Sequence, residues 1–325
     1  MFRKLVFFAT VITLCVVVLG AYVRLSDAGL GCPDWPGCYG KLTPHHAAEH
    51  INEAYVAAPQ GPVSMAKAWK EMVHRYLAAS LGVLIIVIAG LAWRQRGRLG
   101  QSPWLATALV GVVILQGFFG KWTVTMLLKP AIVTGHLIGG LVTLALLTWL
   151  WMRQSEWRPS HAVSSGLRTA ARVGFVLLSC QILLGGWVST NYAGLACTDL
   201  PTCQGRWLPE MDFGHGFHLV RELGQTADGA ILPLPAMTAI HWTHRLGAVV
   251  LAAYLIALGV LLMRAGYARD GRLLHALVAL QFLLGLSSVW FGLPLAVAVA
   301  HNAGAALLVM LLVVINFRVA KSASA

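Results

Sequence analysis

Four histidines stand inside long apolar segments of the chain: His74, His136, His244 and His301. An ionisable side chain is costly inside a membrane and usually serves a function there. Each half of the chain supplies two of these histidines, from its second and its fourth apolar segment. These two segments run antiparallel, so both imidazoles can reach the same depth, near the outer helix ends. Two facing imidazoles suit the axial positions of a haem iron.

Helix packing and zinc binding account for the histidines less well. A lone histidine in a helix is most often a packing residue, but a pair that recurs in both halves is poorly explained in that way. Zinc usually takes three or four protein ligands, whereas each half offers two well-placed histidines. The sequence therefore predicts that all four histidines are axial ligands of haem iron.

An arginine directly follows one histidine in each half, at Arg75 and Arg245. Both arginines lie near the N-terminus of a predicted helix, where the helix dipole disfavours a cation. A bound carboxylate such as a haem propionate would remove this conflict, because Arg pairs with carboxylates through a bidentate fork. Snorkelling to lipid headgroups is the alternative. We expect the two arginines to bind propionates.

Glu71 stands three residues before His74 and shares its helix face, and the second half has His241 at the equivalent position. A carboxylate beside one histidine pair could relay protons or hydrogen-bond to a reacting group. The alternative is an acid in the first helical turn, which the dipole favours by ~0.3–1 kcal/mol. The difference between Glu71 and His241 predicts that the first half carries the reaction.

Two cysteine pairs share the same spacing, with five residues between the cysteines. Both pairs lie in loops predicted to face an oxidising compartment, which favours the disulfides Cys32–Cys38 and Cys197–Cys203. Because each disulfide closes a short loop, it adds little entropic stabilisation. Each bond therefore either pins a loop or is redox-active. Cys15 and Cys180 lie within helices and are expected to be small buried apolar residues.

The elements that position these residues are membrane helices. The chain has 325 residues, of which 58% are hydrophobic and 11% are charged, against about 25% charged in a soluble domain. A spanning helix needs ~20 mostly apolar residues, and its backbone must pair internally. We therefore predict an all-α integral membrane protein with eight transmembrane helices, at roughly 3–24, 72–93, 103–125, 131–152, 168–190, 239–263, 272–291 and 294–317.

Basic residues mark one side of the membrane. If the N-terminus is cytoplasmic, 14 of the 24 Lys and Arg residues fall on the inner side, with only Glu156 and Asp270 as inner acids. This bias fits the positive-inside rule. It explains the net charge of +12 by membrane orientation rather than by nucleic-acid binding. We expect both termini inside and the loops at about 25–71 and 191–238 outside. The lack of a cleavable signal or a presequence pattern favours a bacterial inner membrane.

The chain repeats itself along its length. An offset of 165 gives 11 identities over the 24 positions 15–38, and it pairs His136 with His301. An offset of 170 pairs His74 with His244. Corresponding helices then run in the same direction, which is a parallel repeat about the membrane normal. We predict two pseudo-symmetric four-helix bundles, at 1–160 and 161–325.

Several short motifs together match a known family. The chain resembles the haem A synthase family over essentially its whole length. The matching motifs are Gly20-Ala21-x-Val23-Arg24, Ala28-Gly29-Leu30-Gly31-Cys32-Pro33-Asp34-Trp35-Pro36, Glu71-x-x-His74-Arg75, Gly135-His136, His241-x-x-His244-Arg245 and His301-Asn302.

The resemblance implies that the protein oxidises one methyl group of haem O to a formyl group, making haem A for terminal oxidases. It implies that His74 and His136 bracket the substrate haem with help from Glu71, and that His244 and His301 hold a haem b. Expected partners are haem O synthase, assembly factors of terminal oxidases and an electron donor. The main alternative is a di-haem b electron carrier linked to quinol. A transporter fits the repeat but does not need paired axial ligands.

Overall fold

The computed structural model describes residues 1–155 and 163–321, and it confirms an all-helical chain with eight helices long and apolar enough to cross a membrane. The protein is therefore a multi-pass membrane protein. The spanning helices are α1 (Phe2–Leu25), α3 (Met65–Arg94), α5 (Trp104–Thr125), α6 (Pro130–Arg153), α7 (Ser165–Thr190), α9 (Leu234–Arg264), α10 (Ala268–Trp290) and α11 (Leu295–Lys321). Three short helices lie between them, α2 (Ala48–Ala57), α4 (Arg96–Leu99) and α8 (Phe213–Gly216).

Helices α3 and α9 begin several residues before the predicted apolar segments. The Ser64 side chain accepts a hydrogen bond from the backbone of Lys67 and caps α3, which is a favourable start for a helix. Pro235 stands in the first turn of α9, where its missing N–H costs nothing. Apolar composition does not reveal these polar first turns. As a consequence, His74 and His244 lie about three turns into their helices rather than two.

The chain divides into two compact units. The first contains Met1–Thr143 and Leu219–Ile231, and the second contains Leu144–His218 and Leu232–Ala325. The predicted division at 160/161 lies outside the described residues. The pseudo-symmetry of two four-helix bundles stays a prediction.

The first unit contains α1, α3, α5 and residues 130–143 of α6, and the second contains the rest of α6 with α7, α9, α10 and α11. The long helices of each unit contact one another. In the second unit, α7 contacts α9 and α11, and α10 contacts the same two helices. In the first unit, α3 contacts α1 and α5. The amide of Gln116 on α5 donates to the carbonyl of His136 on α6, and Val17 on α1 lies beside Gly140 on α6. The second and fourth helices of each unit carry the predicted histidine ligands.

The two cysteines outside the pairs correct one expectation. Cys15 and Cys180 are exposed on their helices rather than buried. In water an apolar residue gains by burial, but a helix in lipid meets an apolar solvent, so an apolar side chain can face outward without cost. Apolar character alone therefore does not locate the core of this protein.

Candidate functional site

The first unit brings its two predicted histidines next to each other. His74 on α3 and His136 on α6 have ring centroids 6.5 Å apart, with ring planes at 85°. Two imidazoles that bind one metal ion from opposite sides, with metal–nitrogen bonds of about 2.0–2.1 Å, have centroids roughly 6.4 Å apart. The separation of the two rings therefore fits one shared iron.

Buried ring nitrogens give a second test of whether these residues fit haem. The Nδ1 atoms of His74, His136 and His301 are buried without a well-formed hydrogen bond among the described residues, although the rings of His74 and His301 lie close to backbone groups of Val16 and Gln281. A buried polar atom without a partner costs free energy, typically about 1–3 kcal/mol. Histidines kept in this state fit a role as ligands better than a role as packing residues.

Glycines on the neighbouring helices make room for the imidazole rings. A Cβ atom added at Gly20 would lie 2.9 Å from Cε1 of His74, and one added at Gly185 would lie 3.0 Å from Cε1 of His244. A side chain larger than hydrogen at either position would force the imidazole ring to shift. The same contact recurs beside the other two histidines, at 3.6 Å for Gly120 and His136 and at 3.2 Å for Gly285 and His301. All four rings thus sit in cradles that a methyl group would fill or crowd.

The second unit holds its pair with glutamine side chains. His244 on α9 and His301 on α11 lie within electrostatic range of each other. The Gln181 amide nitrogen lies 2.9 Å from Nδ1 of His244, and the Gln281 amide nitrogen lies 3.3 Å from Nε2 of His301. In the first unit, the corresponding amide of Gln116 bonds to a backbone carbonyl. The ring contacts of the two units are therefore different.

Both predicted disulfides are present, Cys32–Cys38 and Cys197–Cys203. All four of these cysteines are fully buried. The first pair packs on Ala68 and Met72 at the start of α3, and the second packs on Trp242 of α9. Each disulfide loop is therefore docked on the helix that carries a histidine.

Arg75 and Glu71 hold the first disulfide loop on α3. One guanidinium nitrogen of Arg75 donates to the carbonyls of Asp34 and Gly37, at 2.8 and 2.6 Å, and the other donates to Glu71 Oε1 at 2.6 Å. The second carboxylate oxygen of Glu71 accepts the backbone N–H of Cys32 at 2.9 Å. Three charge-assisted contacts thus join the loop to one face of the helix, and the fourth pairs the two anchoring side chains with each other.

Arg245 and His241 occupy the same positions in the second unit. Arg245 donates to the carbonyls of Asp199, Thr202 and Cys197, at 2.8, 3.0 and 2.5 Å. His241 Nδ1 lies 3.3 Å from the backbone nitrogen of Cys197, and its Nε2 lies 3.3 Å from Nε of Arg245. A neutral imidazole has only one acceptor nitrogen, so His241 can accept one of these two hydrogen bonds at a time. The carboxylate of Glu71 accepts both, so it anchors its loop more firmly.

These contacts correct the expectation about the two arginines. The positive helix end predicted an unmatched cation, but Glu71 pairs with Arg75 directly and loop carbonyls surround both guanidinium groups. The binding of propionates by Arg75 and Arg245 stays a prediction, and the positive helix end no longer supports it. Their established contacts dock the disulfide loops.

An aspartate organises the turn inside each disulfide loop. Asp199 accepts hydrogen bonds from the Thr202 hydroxyl and from the backbone N–H groups of Gly205 and Gln204. These bonds hold the pKa of Asp199 at about 2, below its ordinary value of 3.8. Gln204 and Gly205 both have positive φ angles, 55° and 72°, as in a type I′ turn. The carboxylate thus stabilises the positive φ angle of Gln204, which is disfavoured for residues other than glycine.

The first loop has the same arrangement. Asp34 accepts the backbone N–H groups of Tyr39 and Gly40, whose φ angles are 50° and 69°. An antiparallel bridge closes this turn between Cys38 and Lys41. The internal repeat of the sequence therefore corresponds to a repeated loop structure.

A comparison with protein families matches residues 3–313 to the COX15-CtaA model, described as cytochrome oxidase assembly protein. The chain belongs to the COX15-CtaA family. Curated relatives carry the name Heme A synthase. The protein of Shewanella oneidensis is 40% identical over 94% of this chain and 93% of its own length. The protein of Bradyrhizobium diazoefficiens is 30% identical over 98% of this chain and 91% of its own length.

Sequence reasoning missed several residues of this COX15-CtaA site. The repeat marked Gly20 with Gly185, Asp34 with Asp199 and Gln116 with Gln281 as identities, but their contacts were not predicted. Repetition at matched positions was the available signal. Gln181 has no identical counterpart in the first half, so the repeat gave no signal for it.

Proposed function

We propose that this protein is a haem A synthase that oxidises a methyl group of haem O to a formyl group, supplying haem A to terminal oxidases. The observation that carries the proposal is the separation of 6.5 Å between the rings of His74 and His136, in a chain 40% identical to a relative named Heme A synthase. A haem iron takes histidine as an axial ligand. The same geometry leaves no room for a large side chain at the helix contact, because Gly20 abuts the His74 ring.

In this proposal the two units have different roles. His74 and His136 bracket haem O, and His244 and His301 bind a resident haem b. A bound haem b supplies one-electron transfer. The support for this division is the asymmetry between Glu71 and His241: a stable haem site for electron transfer needs no carboxylate, whereas an oxidation that removes protons does.

The chemistry needs a proton-transfer group near the methyl carbon. Two successive hydroxylations, each a two-electron oxidation that consumes an external oxidant and adds one oxygen atom, convert the methyl group to an alcohol and then to a geminal diol. The diol loses water to leave the formyl group. In this last step one hydroxyl group gives up its proton and the other gains a proton and leaves as water. Glu71, held by Arg75 and by the Cys32 N–H, is the proposed acceptor, and general acid–base help is typically worth ~10²–10⁴-fold in rate. The docked disulfide loops would limit access of water from the outer side.

Haem extraction from cells that also make haem O tests the proposal. We expect haem A from wild-type protein and a hydroxylated haem or no product from Glu71→Ala. His244→Ala and His301→Ala should lose the resident haem b. If wild-type protein yields only haem b, with no hydroxyl or formyl product, the chain is a di-haem b electron carrier instead. If Glu71→Ala makes haem A at the wild-type level, the proposed role of that carboxylate is wrong.

The proposal includes a bacterial inner membrane, both termini in the cytoplasm, and as partners haem O synthase, assembly factors of terminal oxidases and an electron donor. It is supported by the basic residues at the predicted inner ends of the helices. Reporter fusions at Gly97 and Ala268 should read cytoplasmic, and fusions at His50 and His215 should read external. A fusion at Ser160, which lies outside the described residues, should read cytoplasmic. An external reading there contradicts the topology.

A further inference from the structure

Gln181 makes two contacts with one residue. Its amide nitrogen lies 2.9 Å from the backbone carbonyl oxygen of His244 and 2.9 Å from Nδ1 of the same residue. Gln181 lies on α7 and His244 on α9, so the amide links two helices at the proposed ligand. A side chain that holds both the backbone and the ring of one histidine restricts the ring orientation.

The space for this amide comes from a glycine. A Cβ atom added at Gly247, three residues after His244, would lie 2.3 Å from Oε1 of Gln181. No other residue type could stand there while Gln181 keeps its place. The glutamine and the glycine therefore form a matched pair, in which the small residue admits the polar one.

The first half of the chain has an apolar pair instead. The repeat offset of 165 pairs Gln181 with Val16, and the offset of 170 pairs Gly247 with Leu77. Gln181 and Gly247 of the second half are thus replaced by two large apolar residues, Val16 and Leu77, in the first half. Nδ1 of His74 has no side-chain hydrogen-bond partner among the described residues, and the ring is close only to the backbone of Val16 at this position. The two halves differ next to an otherwise equivalent histidine.

The difference has a direct consequence for metal binding. A histidine that binds iron through Nε2 carries its proton on Nδ1, and a hydrogen-bond acceptor at Nδ1 fixes the ring and increases the basicity of the ligand. The Gln181 amide presents its nitrogen to Nδ1 and to the His244 carbonyl. A half-turn about its last bond would present its oxygen to an Nδ1 proton and would exchange the hydrogen bond to the carbonyl for one to the ring. Valine can do neither.

We propose that Gln181 is a positioning residue for His244, which helps to make the second unit a permanent haem site, whereas the Val16 and Leu77 side chains give His74 no such amide. This inference rests on the proposed function and adds a physical basis for its division of roles. Iron in the second unit should therefore be held more tightly and at a lower reduction potential than it would be without the amide oxygen.

The test uses full-length protein purified with its resident haem, in three variants. Gln181→Val copies the residue of the first half, and Gln181→Glu keeps an acceptor oxygen without a donor. Asn316→Leu is the control, because Asn316 also donates between helices, to the Ala171 carbonyl, but lies about 22 Å along α11 from His301. The measurements are the rate of haem transfer to apomyoglobin and the midpoint potential of the resident low-spin haem.

We expect Gln181→Val to lose haem roughly 10–100-fold faster than wild type, the usual effect of removing a partner of a ligating histidine, and to have a higher potential. Gln181→Glu should keep the wild-type rate of loss and have a lower potential. Asn316→Leu should leave the potential unchanged.

Three results would overturn the inference. The first is a Gln181→Val protein with the wild-type rate and potential. The second is equal haem loss in Gln181→Val and Asn316→Leu with no shift in potential, which indicates a purely structural role. If Gln181→Val does not accumulate in cells, the midpoint potential of Gln181→Glu tests the inference in its place. A Gln181→Glu potential equal to that of wild type is the third result that would overturn it. Wild-type protein without a bis-histidine haem overturns the proposed function, and this inference with it.

Discussion

The anchoring of the first disulfide loop by Glu71 gives a prediction that separates a structural role from a catalytic one. Cys32 and Cys38 are fully buried, so a reductant reaches their bond only when the loop lifts from α3. Glu71 and Arg75 form a pair with side chains 6% and 11% exposed, and both contact the loop. The rate of reduction of this disulfide therefore measures the strength of the anchor.

The magnitude follows from the contacts. Glu71→Ala leaves the largely buried guanidinium of Arg75 without its counter-charge, which costs about 3–5 kcal/mol. At about 1.4 kcal/mol for each factor of ten, loop opening should increase roughly 100- to 4,000-fold. Glu71→His, which copies the second unit, keeps an acceptor for the Cys32 N–H and loses the ion pair. The cost is then that of one charged hydrogen bond, about 1.5–3 kcal/mol, or roughly 10–100-fold.

The assay is thiol labelling and mass analysis after timed exposure to a phosphine reductant in detergent. The Cys197–Cys203 bond in the same molecule is the internal reference, because it should be reduced at the wild-type rate in both variants. His241→Ala is the matched control in the other loop, where loss of one weak neutral contact should increase reduction less than about tenfold. Equal reduction of Cys32–Cys38 in wild type and Glu71→Ala would refute the anchoring role.

Haem products from the same variants then address catalysis. If the disulfide of Glu71→His is reduced more slowly than that of Glu71→Ala but the variant makes no haem A, the carboxylate acts in the oxidation as well as in the anchor. If Glu71→His is reduced more slowly and also makes haem A, Glu71 is an anchor alone and the proposed proton-transfer role is wrong.

Single contacts give three more predictions. Arg75→Leu should weaken haem retention and Arg75→Lys should do so less, measured by haem content after purification; equal retention in wild type and the Leu variant contradicts this. Gly185→Ala should accelerate haem loss about 10–100-fold, because its Cβ would lie 3.0 Å from the His244 ring and crowding of this kind costs about 1–3 kcal/mol, whereas Gly90→Ala, with open space around it, should have no effect. The pKa of Asp199 is lowered from 3.8 to about 2, so its stabilisation of the second loop is present above pH 3.8 and is lost as the pH falls through about 2. Reduction of the Cys197–Cys203 bond by phosphine should therefore accelerate as the pH falls over that range, relative to the same reaction in Asp199→Asn. Identical pH profiles for the two proteins would rule the effect out.

Much of the fold could be predicted from the sequence because the signals are local. Length and apolar composition identify a spanning helix without reference to any other part of the chain, and all eight predicted spans are present as helices. The two disulfides are also present, because a loop of six residues brings its ends together whatever the rest of the fold does. The helix starts at Met65 and Leu234 were missed, since polar first turns do not resemble lipid-facing helix.

The four histidines were identified from the sequence because an ionisable residue in an apolar segment is conspicuous by itself. The contacts around these histidines were not predicted from the sequence, because they depend on residues distant in the chain. Gln181 and His244 are 63 residues apart, and Arg75 is 38 residues from Gly37. The helix dipole suggested a bound anion beside Arg75, and the tertiary structure places the Glu71 carboxylate and loop carbonyls there. Sequence alone determined the spans, the repeat and the candidate ligands. Only the packing of helices and loops decided what each charged or polar side chain contacts. A hydrogen bond requires two groups within about 3 Å, and spacing along the chain does not specify that distance.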